Sequence, residues 1–139
     1  MVERKYVDVN VFVYWLGKHP KFGEKAREWI EKIEAGSRGE YITSALTLYE
    51  LAVILSGLTG TTLKDTGLIP TIVKAVTSLT GLEVTSLEVR DYLKALELME
   101  EYKLDYEDSI HLTVALRTGA KKIISNDRDF DKTPFRREF

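Results

Sequence analysis

The chain has 139 residues, with 20 Lys and Arg against 22 Asp and Glu, and no cysteine. That length suits one domain with a sizeable core, and the missing thiols exclude disulfides, thiolate catalysis, zinc–sulfur sites and iron–sulfur clusters. A formal charge of −2 gives no global basic field for coating nucleic acid, no apolar run approaches the ~20 residues needed to cross a bilayer, and the start MVERKY lacks a signal-peptide core, so a cytoplasmic location is expected.

In chain order, RKYVDVNVFVYWL (residues 4–16) reads as a buried strand with one misfit. Tyr6, Val7, Val9, Val11, Phe12 and Val13 are the β-branched and aromatic residues a strand prefers. Asp8 puts a carboxylate among them, where burial is costly unless something compensates it. The strand is set at about Lys5 to Val9, running into a helix with Asn10 as its cap. AREWIEKIEAG carries Ala26, Trp29, Ile30 and Ile33 at helical spacing, with Gly36 as its stop. GEYITS is a second strand. Ser44 or Thr47 starts the helix ALTLYELAVILSG, in which Thr47 and Glu50 have capping-box spacing. After a turn-rich segment, a helix begins near Pro70, where proline suits the first turn, and LEVTS is a third strand. LEVRDYLKALELMEEYK is an amphipathic helix predicted to turn Val89, Leu93, Leu96 and Met99 or Tyr92 inward. LDYEDSIHLTVALRTG is a helix capped by Asp105 and ended by Gly119, and AKKIISND is a fourth strand. The tail RDFDKTPFRREF is irregular or brings one short further strand. No repeat or linker interrupts the series. Strands separated by helices imply a three-layer α/β/α fold with a mainly parallel central sheet and right-handed crossovers.

In an open parallel sheet, sites collect outside the carboxyl ends of the strands. Asp8 and Asp127 fall there, with Asp129 two residues on, while Glu50 and Asp108 fall in first helical turns. Strand ends and the helix starts that follow share one edge, so Asp8, Glu50, Asp108 and Asp127 are expected to converge and to need a cation against their repulsion. An all-oxygen set suits Mg²⁺ or Mn²⁺ rather than zinc, and such ions activate water and neutralise charge on a phosphoryl group. Each residue also has a plain reading. Glu50 completes a capping box, Asp108 favours the positive end of its helix, and Asp127 forms a turn. Asp8 then lies on the wet face of an edge strand with Tyr6 and Asn10. His19 reads as solvated surface, and His111 as a core-edge histidine or a group orienting a ligand or phosphate. No HExxH, GxSxG, GxGxxG or GxxxxGK[ST] signature occurs.

With YVDVNVFVYWL, ITSALTLYEL and LDYEDSIHLTVALRTGAKKIISNDRDF in this order and spacing, the chain resembles the PIN-domain ribonucleases, specifically the small toxins of VapBC toxin–antitoxin pairs. The resemblance implies a single PIN-like domain over residues 1–139 and a Mg²⁺- or Mn²⁺-dependent endoribonuclease. Its acidic residues correspond to Asp8, Glu50, Asp108 and Asp127, which hold the metal, with Asn10, Ser125 and Asp129 in support. It further implies a homodimer and an antitoxin protein that covers the site. Lys121, Lys122, Arg128, Lys132, Arg136 and Arg137 cluster near the C-terminus and are candidate RNA contacts. The chain departs from the family pattern at Val9, where Thr or Ser is common, at Ser109, where alanine is commoner, and at His111.

Two other readings stay open. One is a PIN-like module that binds RNA or protein without cutting. The other is a haloacid-dehalogenase-like phosphohydrolase, whose D-x-D loop VDVNVFV resembles, although Asn10 stands at the second aspartate. The absence of glutamine, the two asparagines and the 30% charged residues are typical of proteins from hot environments.

Overall fold

The computed structural model describes residues 3–139; Met1 and Val2, at the head of the MVERKY start, lie outside the described residues. Five short strands, β1 Lys5–Val7, β2 Tyr41–Ser44, β3 Leu82–Thr85, β4 Lys122–Ile124 and β5 Arg136–Glu138, form an all-parallel sheet ordered β3-β2-β1-β4-β5. Six helices connect them: α1 Val9–Leu16, α2 Gly23–Ala35, α3 Ala45–Leu58, α4 Leu68–Thr77, α5 Val89–Tyr102 and α6 Tyr106–Arg117. A 3₁₀ turn, Arg128–Lys132, precedes β5.

Strand alternation divides the core into two layers. Tyr6 pairs in register with Ile42 and Ile123, and these three face Leu98 of α5 and Leu112, Val114 and Ala115 of α6. Val7, Tyr41, Leu82 and Ile124 face the other way, onto α1, α2, α3 and α4 through Phe12, Ile33, Leu51, Leu55, Ile72 and Val76. Helices therefore cover both faces, as the alternation of elements predicts.

Three details of the sequence reading are corrected. The first strand stops at Val7, and α1 is capped by Asp8 rather than by Asn10, which lies inside the helix. Asp8 has extended backbone, ψ 155°, and its side chain accepts from the Val9 N–H, the geometry of an N-cap. The valines of α1 are poor helix formers, yet burial of Val11 and Phe12 overrides propensity. Nor is β1 an edge strand, because β2 and β4 flank it.

At α3 the cap is Ser44, whose Oγ accepts from Leu46 N at 3.0 Å. Thr47 is buried and shares a 2.7 Å hydrogen bond with Thr43 instead of capping. The capping-box reading of Glu50 therefore falls, and Glu50 belongs to the second turn.

The third correction concerns α5. Val89, Leu93 and Leu96 are 76%, 62% and 53% exposed and Tyr92 is exposed, while Asp91, Ala95 and Leu98 are buried. Arg117 of α6 donates to both Asp91 oxygens at 2.8 Å, and Asp91 also closes a capping box with Glu88. This ion pair and the small Ala95 decide which face of α5 meets α6. The α6 helix ends as predicted, with Gly119 at φ +76°, a conformation glycine adopts without strain.

Candidate metal centre

The chain leaves β1 toward β2 and leaves β4 toward β5, so the loops after β1 and β4 part and open a crevice at their carboxyl ends. Asp8 follows β1 directly and is 3% exposed. Its Oδ1 accepts from Val9 N at 2.8 Å and its Oδ2 from Ser125 Oγ at 2.6 Å. Burial raises its carboxyl above the usual range and Asp127 adds to the rise, against the opposing influence of His111, Ser125 and Val9 N–H. Ser125 Oγ in turn accepts from Asn10 Nδ2 at 3.3 Å and Asp127 N at 3.0 Å. One hydroxyl with one donor and two acceptor sites thus joins three of the predicted residues.

Asp127 caps the 3₁₀ turn by accepting from Asp129 N at 2.9 Å, so its turn reading holds. On α6, Asp105 is the N-cap, accepting from Asp108 N at 2.8 Å, and Asp108 falls in the first turn. One carboxylate oxygen from each of Asp108, Asp127 and Asp129 lies within 4.8 Å of the others. Burial, then the charges of Asp8, Asp105 and Asp127, push the Asp108 carboxyl up to about 8, with His111 opposing. Asp8 stands outside the tight trio, yet its charge is the largest electrostatic influence on Asp108.

Glu50 is 7% exposed and its Oε1 meets His111 Nε2 at 2.6 Å. His111 is 1% exposed, and its Nδ1 lies 2.5 Å from the hydroxyl of the fully buried Tyr6. Burial works against a charged His111, but the Glu50 hydrogen bond and the charges of Asp8, Glu50 and Asp108 outweigh it and raise its pKa. Burial, then the Asp8 and Glu50 charges, holds the Tyr6 hydroxyl well above its ordinary value. Glu107 is pushed up to about 7 by hydrogen bonding to Glu50, burial and the Glu50 charge.

Sequence reasoning missed Glu107 and Tyr6 here, and weighed His111 mainly as a core-edge residue. The available signal was that His111 stands three residues after Asp108, on the same helical face. The donor set fits a hard divalent cation: every candidate ligand is a carboxylate oxygen, and a carboxyl held at about 8 is one whose ionisation lacks a compensating charge.

The basic residues scatter. Lys121 and Lys122 stand at the opposite edge, at the start of β4, where Lys122 pairs with Glu3 and Glu138. Arg136 is exposed at the start of β5, and the Lys132 ammonium pairs with Asp129. Arg128 is exposed directly after Asp127. Arg137 donates to the Ser125 carbonyl at 3.1 Å and pairs with Asp131. A cavity of about 800 Å³ also lies at the amino edge, lined by Arg4, Glu40, Glu83 and Lys121, away from the carboxylates. There Arg4 donates to Gly39 O and Thr118 O and pairs with Glu83, a structural brace between segments.

An all-parallel α/β sheet with an acidic, oxygen-only crevice at its carboxyl edge defines the class. The chain belongs to the PIN domain family, whose model matches residues 5–136. Among solved structures, it is similar to the Mycobacterium tuberculosis VapC20, a sarcin–ricin loop cleaving toxin, with 17% identity, TM-score 0.74 and coverage of 94% of this chain and 95% of that one. It is similar to VapBC2 from Rickettsia felis, solved with a promoter DNA fragment, at 18% identity and TM-score 0.67 over 96% of both chains. PAE2754 from Pyrobaculum aerophilum follows at 23% identity and TM-score 0.64, covering 98% of this chain and 89% of that one. No curated protein sequence matches the chain.

Proposed function

We propose that this chain, acting as one PIN unit, is a Mg²⁺- or Mn²⁺-dependent endoribonuclease, the cytoplasmic toxin of a VapBC-type pair. The observation that carries the reading is the convergence of Asp8, Asp108, Asp127 and Asp129 on one crevice, with Asp108 held at about 8. Asp8, Glu50, Asp108 and Asp127 hold the cation, which supplies an acidified water and charge neutralisation at phosphorus. Ser125 and Asn10 fix Asp8 and Asp127, and Asp129 adds an oxygen to the cluster. Arg128, exposed directly after Asp127, and Arg137, which holds the Ser125 carbonyl, guide the RNA backbone. Structural neighbours include toxin–antitoxin complexes, which supports a partner antitoxin. The exposed Val89–Leu93–Leu96 stripe of α5 supports a homodimer.

The test is cleavage of sarcin–ricin loop RNA, transfer RNA and single-stranded RNA at elevated temperature, in Mg²⁺, in Mn²⁺ and in EDTA. Wild type cuts at least one RNA only with metal, and Asp8→Asn loses about a hundredfold or more, beyond the 10–100-fold typical of residues that merely support a ligand. If both proteins leave every RNA intact and bind Mn²⁺ alike, the nuclease reading is wrong and the chain is a binding module.

A further inference from the structure

We propose that His111, braced by Tyr6, is a positioning residue that sets the Glu50 carboxylate for the cation; the inference rests on the reading of the crevice as a metal centre. Glu50 has three side-chain torsions and stands in the second turn of α3, with no backbone cap to hold it. Its partners among the described residues are Glu107, a second acid, and His111, whose Nε2 lies 2.6 Å from Oε1. His111 cannot turn to release it, because the ring is buried and its other nitrogen is held by Tyr6 at 2.5 Å.

The proton arrangement does not affect the argument. With neutral imidazole, Tyr6 O–H donates to Nδ1 and Nε2–H donates to Glu50. With imidazolium, both ring N–H groups donate, and Nε2–H again points at Oε1. In either state an N–H at Nε2 holds Oε1.

The chain of contacts runs through the elements that carry the other carboxylates. Tyr6 stands two residues before Asp8, and His111 three residues after Asp108. Tyr6 and His111 therefore tie the position of Glu50 on α3 to the positions of Asp8 and Asp108, across three separate elements. The other side-chain links from α3 to that region run from Glu50 to Glu107, beside Asp108, and from Thr47 through Thr43 to the Val7 carbonyl, beside Asp8. Burial by itself asks for a partner on each ring nitrogen, but it does not ask that one of them be the Glu50 carboxylate, a candidate ligand.

The experiment is Mn²⁺ titration by calorimetry at pH 7.5, with thermal melts alongside, on wild type, His111→Leu, His111→Gln, Tyr6→Phe and Asp8→Asn. Expected are a 10–100-fold weaker Mn²⁺ affinity in His111→Leu, a few-fold loss in Tyr6→Phe, and partial recovery in His111→Gln, whose amide can donate to Glu50. In a Glu50→Gln background, adding His111→Leu changes Mn²⁺ affinity no further, because the histidine acts through the glutamate. Wild-type affinity in a folded His111→Leu, or an equal loss with and without Glu50, overturns the proposal. If His111→Leu does not fold, Tyr6→Phe and His111→Gln decide: wild-type Mn²⁺ affinity in both overturns it. Asp8→Asn separates the two readings. If it too binds Mn²⁺ like wild type, the metal centre itself is wrong; if it loses binding while His111→Leu does not, only the positioning role fails.

Discussion

Asp108 carries the most quantitative consequence of the site. A carboxyl held at about 8 is roughly nine-tenths protonated at pH 7 and roughly one-tenth at pH 9. A divalent cation needs it ionised, so binding at pH 7 expels about one proton from Asp108. Glu107, at about 7, is half-protonated there and adds up to about half a proton if the cation's field reaches it. Mn²⁺ binding should therefore release about 0.9 to 1.4 protons at pH 7 and about 0.1 at pH 9, measured by calorimetry in two buffers of contrasting ionisation enthalpy. Affinity should rise with pH up to about 8 and then level. Asp108→Asn should leave only the Glu107 share. Release below about 0.3 protons at pH 7 in wild type would refute the reasoning, because Asp108 would then already be ionised. The same shift has a sign in the metal-free protein. Asp108 is raised above its ordinary 3.8, so the folded state binds more protons between that value and about 8. Stability therefore falls as pH rises through that window, and a raised His111 adds a loss above its ordinary 6.5. Chemical denaturation at pH 6 and pH 8.5 should show the decline, and Asp108→Asn should flatten it.

Ser109 is fully buried and its hydroxyl has no hydrogen-bond partner among the described residues, so Ser109→Ala should stabilise by about 1–2 kcal/mol. A thermal melt should show roughly 3–7 °C more for a chain of this size; a decrease means that the hydroxyl is satisfied. Leu93 is 62% exposed and Leu98 is buried, so Leu93→Lys should alter monomer stability by less than about 0.5 kcal/mol. Leu98→Ala should cost about 2–5 kcal/mol by denaturant titration, and the reverse order would restore the inward stripe that the sequence suggests. For Asp91, burial favours the neutral acid, but the Arg117 bonds and the Glu88 N–H outweigh it and lower its pKa. Its contribution is therefore present above the ordinary carboxylate range and lost as pH falls through the lowered value. Asp91→Ala should cost about 2–3 kcal/mol at pH 7, below the roughly 3–5 kcal/mol of a fully buried pair because Arg117 is partly exposed, and markedly less at pH 2.5.

The layer order, the mainly parallel sheet and the succession of elements were legible because alternation of strand and helix patterns has few topological solutions. Facing and capping were less so. On α5, the leucine stripe Val89–Leu93–Leu96 has the right period for a core face, and period alone does not say which side the core lies on. The decision came from Asp91, a buried charge whose partner, Arg117, is 26 residues away and invisible to local pattern. At α3, Thr47–Glu50 matched a capping box, but a serine three residues earlier already had the extended backbone a cap needs. His111 and Glu50 are 61 residues apart, so their hydrogen bond could not be read locally either.

The structure also removes an opposition between the plain and functional readings of the acidic residues. Asp8 caps α1, Asp127 caps the 3₁₀ turn, and Asp105 caps α6 so that Asp108 falls in its first turn. A capping carboxylate gives one oxygen to a backbone N–H and turns the other away from the helix, as Asp8 turns its Oδ2 to Ser125. In a parallel α/β sheet, helices that follow strands begin at the carboxyl edge, where the crevice opens. The residues that start those helices therefore face the crevice whether or not it binds anything. Capping explains why an aspartate is tolerated at each corner, but it does not explain crowding. Three helix starts could have used Ser, Thr or Asn at no loss of capping strength, and α3 does use Ser44. Choosing carboxylates at the remaining corners, close enough to hold Asp108 at about 8, is a choice against stability that a bound cation reverses.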